Sequence, residues 1–242
     1  MLAVLDSVQR SKGVSGAVAE IGVHHGRLFI GLNLLRRDTE RAVAIDVFGE
    51  QELNTDMSGK GDLSIFLRNV RRWSTTDGVA IHQGDSTQLT AAQLGEAAGG
   101  AIRLFSVDGG HTESTVLNDM KLAESTLAPG GVVIADDVFN EQWPGVSTGT
   151  LRYMAEGGLL VPFAIGFNKV FFCSPNYAAA YRDSLHRRFD KRYLVFVKLS
   201  EFALHEVLII ARVPRRPRSL VARNQTARAL YRHMKAVLPT RG

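Results

Sequence analysis

At 242 residues, with 45% hydrophobic and 22% charged side chains, the chain has a globular composition and enough length for one sizeable α/β core, but little for two full domains. The lone cysteine, Cys173, excludes an internal disulfide framework and fits a reducing compartment. The net charge of +5 is uneven: nine Lys/Arg and no Asp/Glu lie in 207–242, so the first 206 residues carry about −4. That balance disfavours nucleic acid as a partner of the main body.

No basic leader followed by a long apolar stretch opens the chain. The longest weakly polar stretch, 157–167, contains Pro162 and falls short of the roughly 20 residues that span a bilayer. A cytoplasmic protein is expected. From residue 17 onward, short β-branched runs alternate with amphipathic ones. Strands are predicted at 17–21, 42–46, 79–83, 102–108 and 132–136, with helices at 27–36, 62–73, 90–97 and 114–127 between them. Parallel neighbours need such crossovers, so this is a βαβ series with a parallel sheet. Thr112 or Glu113 starts the last of these helices, and Pro129-Gly130-Gly131 stops it.

After Asp137 the pattern changes. A helix is predicted at 143–156, then strands at 159–165 and 170–173 joined by the short turn Gly166-Phe167-Asn168-Lys169, which makes the last strand antiparallel. Residues 176–188 read as helix, and 193–213 as an apolar segment packed on the domain. The expected architecture is an α/β, Rossmann-like doubly wound sheet. It has five parallel strands plus a C-terminal antiparallel hairpin strand, with a C-terminal helical extension. The expected division is a domain over 1–174 and an extension over 175–242.

Acidic residues recur where strands end, and in an open α/β sheet ligands bind outside those ends. The first strand leads into Glu20-Ile-Gly22-Val-His-His-Gly26. Gly22 suits a tight turn and Gly26 a helix start, or both are simply structural. Asp46 ends the second strand, placed to accept ribose hydroxyls or to cap a turn. Gly84-Asp85-Ser86 follows the third, where a carboxylate and a hydroxyl could face an adenine amine. Asp108-Gly-Gly-His111 ends strand four and Asp136-Asp137 ends strand five. Adjacent parallel strands lie about 4.8 Å apart, so these carboxylates meet at one rim. Their repulsion is relieved by a hard dication with oxygen ligands such as Mg²⁺, or the two turns merely cap helices. His111 sits close enough to act as a base near neutral pH, or to serve as a cap.

Taken in order, Glu-x-Gly-x-x-x-Gly, Asp46, Gly84-Asp85-Ser86, Asp108-Gly-x-His111 and Pro129-Gly-Gly followed by Asp136-Asp137 resemble class I S-adenosylmethionine-dependent methyltransferases. Among these the pattern is most similar to the metal-dependent sugar O-methyltransferases of the macrocin O-methyltransferase type. The resemblance covers 14–173. It implies S-adenosylmethionine as cofactor and Mg²⁺ or another divalent cation as helper. It also implies a small-molecule or sugar hydroxyl as acceptor. On this resemblance Glu20, Gly22 and Gly26 line the methionine side of the cofactor, Asp46 holds the ribose, and Asp85 and Ser86 face the adenine. Asp108, Asp136 and Asp137 match the metal ligands, with Asp108 also beside the cofactor, and His111 matches the general base. Glu113 stands where such sequences often carry tyrosine, and His24 replaces the central glycine of the wider loop pattern.

The turn-rich segment 46–62 could close over the cofactor or be a plain connection. The tail 219–237 spaces Leu220, Ala227, Leu230, Tyr231, Met234 and Val237 as an amphipathic basic helix. That helix would dock on the domain, on a partner subunit in a homo-oligomer, or peripherally on an anionic membrane. The competing functional readings are a non-catalytic or hydroxylase-like member of the same fold, and a nucleic-acid methyltransferase, for which no basic patch with interleaved aromatics lies near the rim.

Overall fold

The computed structural model describes residues 1–53, 58–190 and 195–212. The predicted tail helix therefore lies outside the described residues, as do 54–57 of the turn-rich segment. In chain order the elements are α1 (Leu2–Ser11), β1 (Ala17–Ile21), α2 (Arg27–Asn33), β2 (Ala42–Asp46), α3 (Leu63–Trp73), β3 (Val79–Gln83), α4 (Ala91–Ala98), β4 (Ile102–Val107), α5 (Glu113–Thr126) and β5 (Leu127–Ala135). They continue with α6 (Pro144–Ala155), β6 (Val161–Gly166), β7 (Lys169–Cys173), α7 (Pro175–Phe189), β8 (Val195–Phe202) and β9 (His205–Arg212).

These strands make a nine-stranded sheet in the order β3-β2-β1-β4-β5-β7-β6-β9-β8. The first five are parallel, as their spacing by helices requires. β7 runs antiparallel to both β5 and β6, as the two-residue turn Phe167-Asn168 dictates. The sheet is longer than the sequence suggests. The apolar segment after α7 forms a second hairpin, β8–β9, and β9 adds parallel to β6. Its alternation is visible in hindsight, since β8 buries every other side chain only partly, as an edge strand does.

Helices cover both faces. On one side Leu94 of α4, Val116 and Met120 of α5, and Val146 and Tyr153 of α6 pack against Val43, Ile45, Phe105 and Val133. On the other, Leu5 of α1, Phe29 and Leu32 of α2, Phe66 and Val70 of α3, and Tyr181 and Leu185 of α7 pack against Val18, Ala44, Leu104 and Ile134. The inner strands are therefore buried on both faces, which explains their unbroken apolar runs. Helix α1 carried no strong sequence signal, yet it closes the second layer. The fifth strand begins at Leu127, earlier than predicted, because the chain enters the sheet through a register shift opposite Ile102–Leu104. There Gly130 takes φ +79 beside the Tyr177 ring, where a Cβ would come within 2.6 Å. Among the described residues no helix is long and apolar enough to cross a membrane.

Strand order reverses between β1 and β4. The connections that leave the two strands run to opposite sides of the sheet there, and the crevice that positions the site lies outside the strands' carboxyl ends.

Candidate active site

A cavity of about 460 Å³ sits over the ends of β1, β2 and β4. Gly22, Asp46, Asp85, Ser86 and Asp108 all line it, together with His24, Gly84 and His111. At Gly22 (φ +81) a Cβ would fall 1.8 Å from the Asp108 carbonyl oxygen, so only glycine lets the two strand ends meet beneath the cavity. Asp46 is oriented by two backbone donors: His24 N–H reaches Oδ2 and Phe48 N–H reaches Oδ1, each at 2.6 Å. His24 and Phe48 supply them from left-handed turns, at φ +48 and +46. A carboxylate so held keeps further lone pairs for hydroxyl donors. Asp85 accepts from Thr87 N–H at 2.8 Å, starting the short turn that buries Ser86.

Two expected cofactor residues lie outside that lining. Gly26 is the left-handed N-cap of α2, packed where a Cβ would meet the Phe66 ring at 3.1 Å. Glu20 is buried in β1, and its Oε2 has no hydrogen-bond partner. Burial pushes its carboxyl well above the usual carboxylate range, and the charges of Asp108 and Asp46 add to this, while Lys169 opposes it. Such an orphaned oxygen is a place for a cationic donor of a bound ligand.

At the wall facing β5, a donor atom each from Asp108, His111 and Asp137 lie within 4.8 Å of one another. Burial pushes Asp108 up to about 7; Lys169 lowers it and Asp137 and Asp46 raise it. His111 Nε2 stands 3.8 Å from Asp137 Oδ2, and its ring stacks on Trp143 with centroids 4.3 Å apart. Asp137 adopts φ +55 and is held by Asn140 Nδ2 at 3.2 Å and by Asn168. Asp136 is not in this trio: Lys169 Nζ and the Asp137 N–H bind its carboxylate. The two carboxylates suit a hard dication such as Mg²⁺ or Mn²⁺, whereas the imidazole is a borderline donor that suits Mg²⁺ poorly.

Residues 19–138 match the model of a family described as a methyltransferase domain. The chain carries an S-adenosylmethionine-dependent methyltransferase domain. The solved structure of the O-methyltransferase NovP is similar to this chain with a TM-score of 0.57 at 17% identity, covering 72% of this chain and 78% of that one, a likeness of fold. Apo CalS11, a TDP-rhamnose 3'-O-methyltransferase, gives a TM-score of 0.48 at 20% identity over 71% of this chain and 77% of that one. No curated protein matches the chain.

The structure adds residues that sequence reading passed over. Lys169 and Asn168 were visible only as turn residues, and nothing in their spacing pointed at the carboxylates they grip. Asp119 of α5 is wholly buried, with no hydrogen-bond partner of good geometry for either oxygen. Burial pushes it up to about 7, partly offset by the Ser86 hydroxyl and Asn118. A Cβ on Gly109 would lie 2.9 Å from Asp119 Oδ2, so this carboxyl sits directly under the cavity floor. Glu113, in the position where tyrosine was expected, faces outward and pairs with Arg152 at 3.2 Å.

Proposed function

We propose that this methyltransferase domain methylates a hydroxyl of a small molecule, sugar or glycoconjugate, assisted by a divalent cation such as Mg²⁺. The observation that carries the reading is the place of Asp108, His111 and Asp137. Asp108 and His111 line both the large cavity and a small adjoining cleft closed by Ala135, Asp136 and Val146. That cleft, of about 10 Å³, holds no more than a water, so a methyl donor in the large cavity would meet its acceptor at the open rim where these two side chains stand.

S-adenosylmethionine supplies a sulfonium-activated methyl group, so the chain must chiefly align it with an acceptor oxygen. Asp46 would accept the ribose hydroxyls, held in place by the His24 and Phe48 amides. Asp85 and Ser86 would meet the adenine edge, and buried Glu20 would take a cationic group of the methionine portion. Asp108 and Asp137 would hold the cation, which lowers the pKa of an acceptor hydroxyl. His111, with its plane set by Trp143, is placed to accept the acceptor's proton at its imidazole. The fold match to a protein named an O-methyltransferase agrees with oxygen as the target. Retention of all these groups disfavours a binding module without turnover.

Two measurements test this. Calorimetry with S-adenosylhomocysteine should show micromolar binding, and no binding at millimolar ligand would remove the cofactor assignment. Methyl transfer to a panel of vicinal diols should rise with added Mg²⁺ or Mn²⁺. Equal turnover in a chelator would remove the cation from the mechanism.

A further inference from the structure

Helix α5 turns Val116, Asp119, Met120 and Ala123 inward, the i, i+3, i+4, i+7 stripe of a buried helix face. The three apolar members join the core on that side of the sheet. Asp119 does not belong there by polarity, yet it is wholly buried, and neither of its oxygens has a hydrogen-bond partner of good geometry. The charge that acts on it, that of Asp85, has the same sign. Burying an unpaired carboxyl costs the fold stability, and departures of this kind gather at functional sites.

What Asp119 faces is the floor of the large cavity. Gly109 lines that cavity, and a Cβ on it would lie 2.9 Å from Asp119 Oδ2 and 4.0 Å from Ser86 Oγ. The carboxyl and the hydroxyl thus flank one bare stretch of backbone. Ser86 also lines the cavity, as the first residue of the short turn that Asp85 caps. Burial pushes the Asp119 carboxyl up, and the Ser86 hydroxyl acts in the opposite sense by donating to it.

A serine hydroxyl has one hydrogen and two lone pairs, whereas an ionised carboxylate only accepts. With its hydrogen committed to Asp119 beneath the floor, Ser86 turns lone pairs alone towards the cavity. Asp85, beside it in the lining, is likewise an acceptor. This end of the cavity therefore calls for a donor. The exocyclic amine of a 6-aminopurine is one, while a 6-oxopurine sets an oxygen in the same place and leaves the acceptors unpaired.

We propose that Asp119 is a positioning residue that fixes the Ser86 hydroxyl as an acceptor and so sets the selection of a 6-amino over a 6-oxo purine in the cofactor. This rests on the cofactor assignment above and extends it from where the purine lies to what selects it.

The test is calorimetry on the full chain without metal at pH 8, above the Asp119 pKa of about 7. The probes are S-adenosylhomocysteine and its 6-oxo analogue, S-inosylhomocysteine. The parent should favour the amino form by about tenfold or more, and Ser86→Ala should lower that preference about tenfold, the worth of one good hydrogen bond. Asp119→Ala and Asp119→Leu, which leave different volumes, should each do the same, and one folded variant of the two suffices. Ser86→Ala with Asp119→Ala should lose no more than Ser86→Ala alone. Asp119→Asn, whose amide oxygen can still accept from Ser86, should keep most of the preference. Equal weakening of both probes in the Asp119 variants would leave Asp119 a structural role only and overturn the proposal, as would additive losses in the double variant. Tight S-adenosylhomocysteine binding by a parent with no base preference would overturn it and leave the cofactor assignment standing. Failure of the parent to bind either probe would remove both.

Discussion

The two ends of the sheet treat buried charge in opposite ways. At the amino end of β4, Arg103 is wholly buried, and each of its nitrogens is used. Nε and Nη2 donate to Glu40 at 2.9 Å, Nη1 reaches Gln9 Oε1 at 2.8 Å and Asp6 at 2.9 Å, and Nη2 also meets the Leu35 carbonyl at 2.8 Å. Although burial works against it, Glu40 is held below the usual carboxylate range by Arg103 and by the Arg37 and Gly16 amides. At the carboxyl end, Glu20, Asp108 and Asp119 are all pushed upward by burial, with Lys169 the cation acting on the first two. In the first arrangement every Arg103 nitrogen has a partner, and the network tethers α1 to the sheet. The second is a deficit of positive charge, and a cationic cofactor and a metal ion are what would fill it. Stability is concentrated at one end and binding capacity at the other.

The largest effect should come from disabling the open end. His111→Ala should lower methyl transfer by about 10²- to 10⁴-fold, the usual reach of a positioned base, while S-adenosylhomocysteine binding changes little. Loss of cofactor binding along with activity would mean that His111 holds the pocket rather than the proton. The closed end should respond in stability alone. Arg103→Met leaves Asp6 and Glu40 buried without their partner and should cost about 3–5 kcal/mol in denaturant unfolding. A loss below about 1 kcal/mol would show that water reaches the network and that the contrast between the ends is overstated.

Much of this contrast was legible beforehand, and the missing parts share a cause. The ends of β1, β2 and β3 fall where periodicity put them, because buried parallel strands need unbroken apolar runs. Asp46, Asp85, Asp108 and His111 were recognisable because a carboxylate at a strand end in this topology has few structural reasons to be there. Lys169, Asp119 and Arg103 gave no such signal. Each acts across a distance in sequence, Arg103 with Glu40 over 63 positions and Lys169 with Asp136 over 33. Local pattern carries no record of such pairings. Glycines misled in the other direction: Gly22 and Gly26 look alike in the motif, but one brings strand ends together and the other makes room for Phe66.

Asp119 separates the ends by pH. Its folded-state pKa near 7 exceeds the ordinary 3.8, so the native state binds that proton more tightly. The stability it contributes is present below about pH 4 and lost as pH rises through 7. Asp119→Asn should therefore stabilise the ligand-free protein by on the order of 3 kcal/mol at pH 8 and scarcely at pH 4. Thermal melts at the two pH values would show it. An equal gain at both would assign the effect to packing. Arg103→Met should show no matching gain at high pH, since it removes the cation that Glu40 and Asp6 share.

The smallest effect concerns a carboxylate at the same carboxyl end that is not in deficit. Asp62 precedes α3, next to Gly61 in the cavity lining, and its Oδ1 accepts the Ile65 N–H at 2.8 Å. It is an exposed N-cap, satisfied by the helix's own unpaired amides and positive end. Asp62→Ala should cost about 1 kcal/mol at pH 8, opposite in sign to Asp119→Asn, although each removes one negative charge from the same rim. If rim charge alone set stability there, both substitutions would stabilise. A gain from Asp62→Ala would therefore show that like-charge repulsion across the whole rim dominates, and not the burial of individual carboxyls.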